Sequence, residues 1–229
     1  PTVVYGGGLS EDQIQSTREL FDIEDTNNVY ETSVDANDLY NYLGIAGGDT
    51  SSLISSVMVQ KQDSGTGVKV KIITQSNITK ITSNQYANAA ITAGVSDVEI
   101  DVASVSKVTG ESALTGVYKA LEANGETLDP DRTQVAQDEL ETTNEIAQNN
   151  ADDSNFDSAR LDQALVEIKQ ELTQIKQNQG SAATTEQVEQ VVQDALKKFN
   201  LSDIISQDDI DKLIAFAKKY QNTSAIDSQ

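Results

Sequence analysis

The residues that come nearest to a reacting group lie between Ser104 and Gly116. Ser104-Val105-Ser106-Lys107 has the Ser-x-x-Lys spacing that sets a lysine beside a serine nucleophile, and Lys107-Val108-Thr109-Gly110 is one insertion away from Lys-Thr-Gly. In penicillin-recognising enzymes those motifs lie far apart on separate elements; here they overlap, so the match is coincidence. Gly110-Glu111-Ser112-Ala113-Leu114 opens like a nucleophile elbow, but Leu114 stands where the closing glycine belongs, and the chain has no histidine to activate Ser112. The structural reading is a helix N-terminus, with Thr109 or Gly110 as cap and Glu111 favoured by the helix dipole. Gly110 and Gly116 are one residue too far apart for a phosphate loop, and Val117 and Tyr118 replace its lysine and hydroxyl residue.

The acids offer two further chemistries. Asp153-x-Asn155-x-Asp157 supplies the first ligands of a calcium loop, but Ser158 takes the glycine position and Ala164 the bidentate glutamate position, which leaves a solvated linker. Paired carboxylates suffice for glycosidase-type hydrolysis, yet nothing singles out a pair, and a chain without tryptophan is poor in sugar-stacking surface. Glu99 and Asp101 are more simply the wet face of a strand. Without histidine or cysteine there is no imidazole base, thiolate, disulfide or cysteine-held metal. The 37 acids against 16 bases, a net charge of −21, argue against nucleic acid or an anionic membrane as partner. No cofactor and no metal ligand set is expected.

Those groups must be held by elements, and the patterning of the 229 residues shows which. At 37% hydrophobic and 23% charged the composition is globular, and no apolar run reaches the roughly 18 residues of a membrane span. Acids crowd Glu11–Asp38 (nine against one base) and Asp131–Asp157 (eight against one), while Lys61–Lys119 is nearly neutral with six bases and five acids. The middle is therefore the expected packed centre. Ser10-Glu11-Asp12-Gln13 has capping-box form before a helix. Residues 28–34 read as a strand, and Asp35 caps a helix over 36–43 that ends at Gly44. The β-rich run 53–61 and the turn Ser64-Gly65-Thr66-Gly67 suggest a hairpin with the next strand.

Val68, Val70 and Ile72 alternate with Lys69 and Lys71; Val98, Ile100 and Val102 alternate with Asp97, Glu99 and Asp101. Each is a half-buried strand, and the helix between them, capped by Thr82 and closed by Gly94, permits a parallel crossover. Val68, Val70 and Ile72 should share one core with Val98, Ile100 and Val102. Lys69 and Lys71 then share the outer face with Glu99 and Asp101, a face either solvated or covered by something polar. A helix follows from about 111 to 124, stopped by Gly125; Gly116 within it marks a close backbone approach. Asp129-Pro130 starts a helix to about Asn149.

Beyond the polar break 149–155, Leu161, Leu165, Ile168, Leu172 and Ile175 are spaced alternately four and three, an a/d seam. Val188, Val192, Ala195 and Phe199 resume that spacing after Gly180, and a last helix carries Ile210, Leu213, Ile214, Ala217 and Tyr220. The expectation is α+β: a small mixed β-sheet with helices mainly on one face over 1–128, then an all-helical region over 129–229. An antiparallel helical hairpin at 157–199 would bury the seam within the chain. The alternative is a homodimer through the same seam; a monomer is favoured.

Asn77-Ile78-Thr79, Gln85-Tyr86-Ala87-Asn88-Ala89-Ala90-Ile91-Thr92-Ala93-Gly94 and Val108-Thr109-Gly110-Glu111-Ser112-Ala113-Leu114-Thr115-Gly116-Val117-Tyr118-Lys119-Ala120 resemble the signature of the domain of unknown function 1002 family of YpuA-like proteins. Gly8-Leu9-Ser10, Ser55-Ser56-Val57 and Ala136-Gln137-Asp138-Glu139-Leu140 extend the resemblance to about residue 150; Gly6-Gly7-Gly8 departs from an ordinary strand-like start. The resemblance implies an extracellular or envelope-associated protein of Gram-positive bacteria, made with a signal peptide that this chain lacks. It implies no reaction and no catalytic residue. Asn88, Thr92, Thr109, Glu111, Ser112 and Thr115 are polar groups near two helix ends, and form the candidate binding site. The expected function is a non-catalytic binding or structural module for an envelope component or protein. A carboxylate-dependent hydrolase or lyase, with Glu111 foremost, and a divalent-cation-responsive protein are the alternatives.

Overall fold

The computed structural model describes residues 1–110 and 112–228. The sheet is built from β1 (Thr2–Gly6), β2 (Tyr30–Val34), β3 (Ser56–Lys61), β4 (Val68–Ile72) and β5 (Val98–Ala103), in the order β2-β1-β3-β5-β4. The outer pairs β1–β2 and β4–β5 are parallel, and the inner pairs β1–β3 and β3–β5 antiparallel. The sheet is therefore mixed. The helices are α1 (Glu11–Leu20), α2 (Ala36–Leu43), α3 (Ser83–Thr92), α4 (Ala113–Ala123), α5 (Pro130–Asn149), α6 (Ser158–Gln179), α7 (Thr185–Lys198) and α8 (Gln207–Gln221).

Alternation decides which sheet face is buried. Val98, Ile100 and Val102 join Val57, Val59 and Ile72 in one core, with Val68 and Val70 packed at its edge. The helices α2, α3 and α4 cover that face through Leu39, Ala89, Ala90, Leu114, Val117 and Leu121. On the opposite face Lys69 pairs in register with Glu99 and Lys71 with Asp101, although no ion pair joins them among the described residues. Part of this second face is not polar at all. Val3, Tyr5 and Met58 pack with Ile14, Leu20 and Phe21 of the α1 segment, so α1 covers the β1–β3 half with apolar side chains and the β4–β5 half stays charged.

The expected hairpin between residues 53–61 and 68–72 does not form, because β5 lies between β3 and β4. The turn at Gly65 and Gly67 is instead tied to the start of β5, where Asp97 Oδ1 accepts both glycine N–H groups at 3.0 Å. Fully buried Val98, Ile100 and Val102 favour an interior position for β5; the lysine-bearing β4 suits an edge. The glycines after β1 answer to backbone crowding. A Cβ on Gly6 would lie 2.2 Å from the Leu53 carbonyl oxygen, and one on Gly8 2.3 Å from that of Ser51.

Capping follows side-chain chemistry at Ser10, Asp35, Thr82 and Asp129, each of which accepts a backbone N–H from the turn it starts. The start of α4 differs from expectation. Gly110 has φ 92°, outside the extended region an N-cap occupies, and its carbonyl accepts from the Tyr86 hydroxyl. The helix begins after Ser112, whose side chain makes no cap hydrogen bond.

The helix α5 is a shared wall. Ala136 and Leu140 enter the core of the sheet layer, while Val135 and Ile146 enter a second core formed with α6, α7 and α8. The helices α6 and α7 run antiparallel: Gln179 meets Gln187 at one end, and Arg160 donates to the Phe199 carbonyl at the other. Leu161, Leu165, Ile168 and Leu172 are buried there with Val188, Val192 and Ala195; Ile175 and Phe199 are partly buried.

Candidate functional site

Where α3, α5 and α6 meet, the molecule buries charge. Glu139 projects from the same side of α5 as Ala136, Leu140 and Thr143, a helical spacing that would ordinarily carry only apolar groups. Lys169 of α6 reaches it at 2.9 Å, with the two side chains 3% and 2% exposed. Thr92, near the end of α3, closes the set: its hydroxyl donates to Glu139 Oε1 at 2.8 Å and accepts from Lys169 Nζ at 3.1 Å. Among the described residues Glu139 Oε2 has no hydrogen-bond partner. Burial pushes the Glu139 carboxyl up, against Lys169 and Thr92, which pull it down.

Asp162 lies seven residues before Lys169, hence on the same flank of α6. It is 7% exposed, and among the described residues its carboxylate has neither a hydrogen-bond nor an ion-pair partner. Burial first, then the carboxylates of Glu139 and Asp157, push it up to about 7, with Lys169 opposing.

Asp162 forms part of the wall of a surface groove of about 430 Å³ between α3 and α6. Asn84 and Asn88, one helical turn apart, line it from α3; Ala159, Asp162, Gln163, Val166 and Glu167 line it from α6. Phe199, just past the end of α7, closes one end. Glu167 is already engaged, pairing with Lys198 at 3.0 Å. The groove thus offers carboxamides, one unpaired carboxylate and an apolar side.

Five of the six residues read from sequence lie among the described residues, and these five separate in space. Asn88 lines the groove, and Thr92 sits beneath it in the buried charge network. Thr109 and Ser112 line a different cleft, with Leu53, Ser55 and Gly110. Thr115 is wholly buried in α4, beside Gly116, whose backbone faces Val57 and Val4 of the sheet. Glu111 lies outside the described residues. Sequence reasoning missed Glu139, Asp162 and Lys169, because charged residues on helices read as solvent-facing: Asp162 and Lys169 flank the a/d seam of α6, and Glu139 stands in the acid-rich α5. The available signal was the seven-residue repeat of Asp162 and Lys169 on one flank.

Among the described residues there is no group of three or more carboxylate, histidine or cysteine side chains able to hold a metal ion, and no helix is long and apolar enough to cross a membrane. The chain is thus an α+β protein with a buried ion pair where its two cores meet and a polar groove beside it. Residues 5–229 match the model of a family described as protein of unknown function (DUF1002), and the chain belongs to that family. Over 226 residues it is 30% identical to the uncharacterized protein YpuA of Bacillus subtilis (strain 168), an alignment covering 96% of this chain and 71% of that protein. No solved structure matches.

Proposed function

We propose that this protein is a non-catalytic binding module of the cell exterior or envelope, and that its ligand occupies the groove between α3 and α6. One observation carries the reading: Asp162 is almost fully buried, unpaired, and part of the wall of an open groove lined by the carboxamides of Asn84 and Asn88. An unpaired buried carboxylate destabilises a fold, and such departures from good packing concentrate where a ligand completes the structure. The exterior location draws support from the resemblance of Asn77–Ala120 to a family of secreted proteins, and from a chain without cysteine and with one methionine, which resists oxidation.

The test is retention of envelope components by the immobilised full chain, comparing wild type with Val166→Arg, which fills the groove from an already half-exposed position. A component held by wild type and lost by the variant supports the reading; equal retention by both moves the binding surface elsewhere. Turnover of a peptidoglycan, glycan or ester substrate that vanishes in Glu111→Gln would replace the binding module with a carboxylate-dependent hydrolase or lyase. A calcium-dependent rise in melting temperature would favour a cation-responsive protein.

A further inference from the structure

We propose that the groove between α3 and α6 binds a primary ammonium group, held on the Asp162 carboxylate. This rests on the reading of that groove as the ligand site and names what it takes.

The lining decides the chemistry. An ammonium presents three donors and no acceptor, and it needs a negative charge with further oxygens around it. Asp162 supplies the charge, and the carboxamide oxygens of Asn84, Asn88 and Gln163 are available beside it, since none of the three side chains makes a hydrogen bond among the described residues. Val166 and the Phe199 ring give the ligand's carbon stem an apolar wall. That ring already takes a cation, with Lys198 Nζ 5.7 Å from its centroid. A bare metal ion fits less well. A groove of about 430 Å³ has room for an organic group, its apolar wall offers no ligands, and Asp162 is the one carboxylate lining it that lacks an ion-pair partner among the described residues. An anion would meet Asp162 and Glu167 in a protein of net charge −21.

Electrostatics make the binding dependent on pH. The groups around Asp162 are Glu139 from α5, Asp157, Glu167 and Lys169 from α6, and Lys198 beyond Glu167 on α7; the α3 wall contributes neutral carboxamides. Burial and the neighbouring acids hold the Asp162 carboxyl near pH 7, so below that pH it is protonated and loses its attraction for a cation. Affinity should then fall by about tenfold per pH unit below about 7.

The experiment follows the backbone and side-chain amide resonances of Asn84, Asn88 and Gln163 in the ¹⁵N-labelled full chain at pH 8. The probes are cadaverine, Nα-acetyl-lysine amide, guanidine and butan-1-ol. Saturable shifts with either amine, at least tenfold weaker in Asp162→Asn and unchanged in Glu19→Gln, an exposed acid of α1 away from the groove, are the expected result. The near-isosteric Asp162→Asn change keeps the fold. Response to cadaverine points to a free amine; response to the lysine derivative alone points to a peptide side chain. Equal binding of butan-1-ol, preferential binding of guanidine, or amine binding indifferent to Asp162→Asn would each overturn the assignment. If no amine shifts these resonances while Val166→Arg still abolishes retention of an envelope component, the ammonium assignment fails and the binding-module reading stands. If that retention is also unaffected, both fall.

Discussion

Glu139 of α5 and Lys169 of α6 meet at 2.9 Å with almost no exposure to solvent, and their contact joins the sheet-bearing part of the chain to its helical part. Two opposite charges in such a place hold each other. Removing one leaves the other buried and unpaired, which costs about 3–5 kcal/mol, whereas apolar replacement of both is often nearly neutral. Lys169→Met should therefore lower stability by about 3–5 kcal/mol, and the double variant Glu139→Met/Lys169→Met should recover most of that loss. Urea unfolding of wild type, both single variants and the double variant measures the coupling. A Lys169→Met protein within about 1 kcal/mol of wild type would mean that Glu139 is carried as the neutral acid, the form its burial favours.

Asp162 predicts a pH dependence of stability with a definite sign. Its carboxyl is held up to about 7 in the fold against 3.8 for the free group, so the native chain keeps a proton that the unfolded chain releases. Stability from this group is present at pH 4 and is lost as pH rises to about 7; beyond that the loss is complete. At about 1.4 kcal/mol per unit it amounts to at most about 4 kcal/mol over a rise from 3.8 to about 7. Asp162→Asn mimics the protonated acid. It should match wild type at pH 4 and exceed it in stability at pH 8, a comparison made by urea unfolding at the two pH values. A variant less stable than wild type at pH 8 would show that Asp162 is satisfied by the fold itself.

How much of this was legible in the sequence follows from how local each feature is. The strands β4 and β5 announced themselves through alternation, and Asp129-Pro130 marked the start of α5, because period and capping are properties of neighbouring residues. The position of β5 between β3 and β4 was not legible. Short separation between the two earlier segments favours a hairpin, whereas the bonds that draw β5 between them, Asp97 reaching back to Gly65 and Gly67 included, are long-range. The site divides along the same line. Asn88 and Thr92, one turn apart on α3, share a neighbourhood, but Thr109, Ser112 and Thr115 have in common with them a place near a helix end, which does not bring two helix ends together. Glu139, Asp162 and Lys169 became a site only when three helices converged, and a polar residue beside a seam gives no notice of a third helix covering it.

Gly116 tests how closely α4 lies on the sheet. A Cβ there would fall 2.8 Å from Val57 Cγ2, the tip of a stiff β-branched side chain in the middle of β3, and 3.5 Å from Val4 Cβ. Alanine would improve helix propensity by about 1 kcal/mol, yet the overlap forces a shift in a packed core, typically about 1–3 kcal/mol. Gly116→Ala should be net destabilising in thermal unfolding, and much less so, or stabilising, when Val57→Ala first makes room. Equal effects in both backgrounds would place the strain elsewhere.

Ile168 tests the helical layer and the oligomeric state together. Its side chain is 1% exposed in a core shared with Leu165, Leu172, Val188 and Val192, so the seam along α6 is already covered within one chain. A second molecule reaching this seam would have to displace α7. Wild type should therefore scatter light as a monomer at micromolar concentration. Ile168→Ala should lose about 2–5 kcal/mol of stability, and Ile168→Asp, which buries an unpaired carboxylate, more than about 4 kcal/mol, both without change of mass. If wild type instead proves dimeric and Ile168→Ala yields a folded monomer, α7 is exchanged between chains and the seam is the interface.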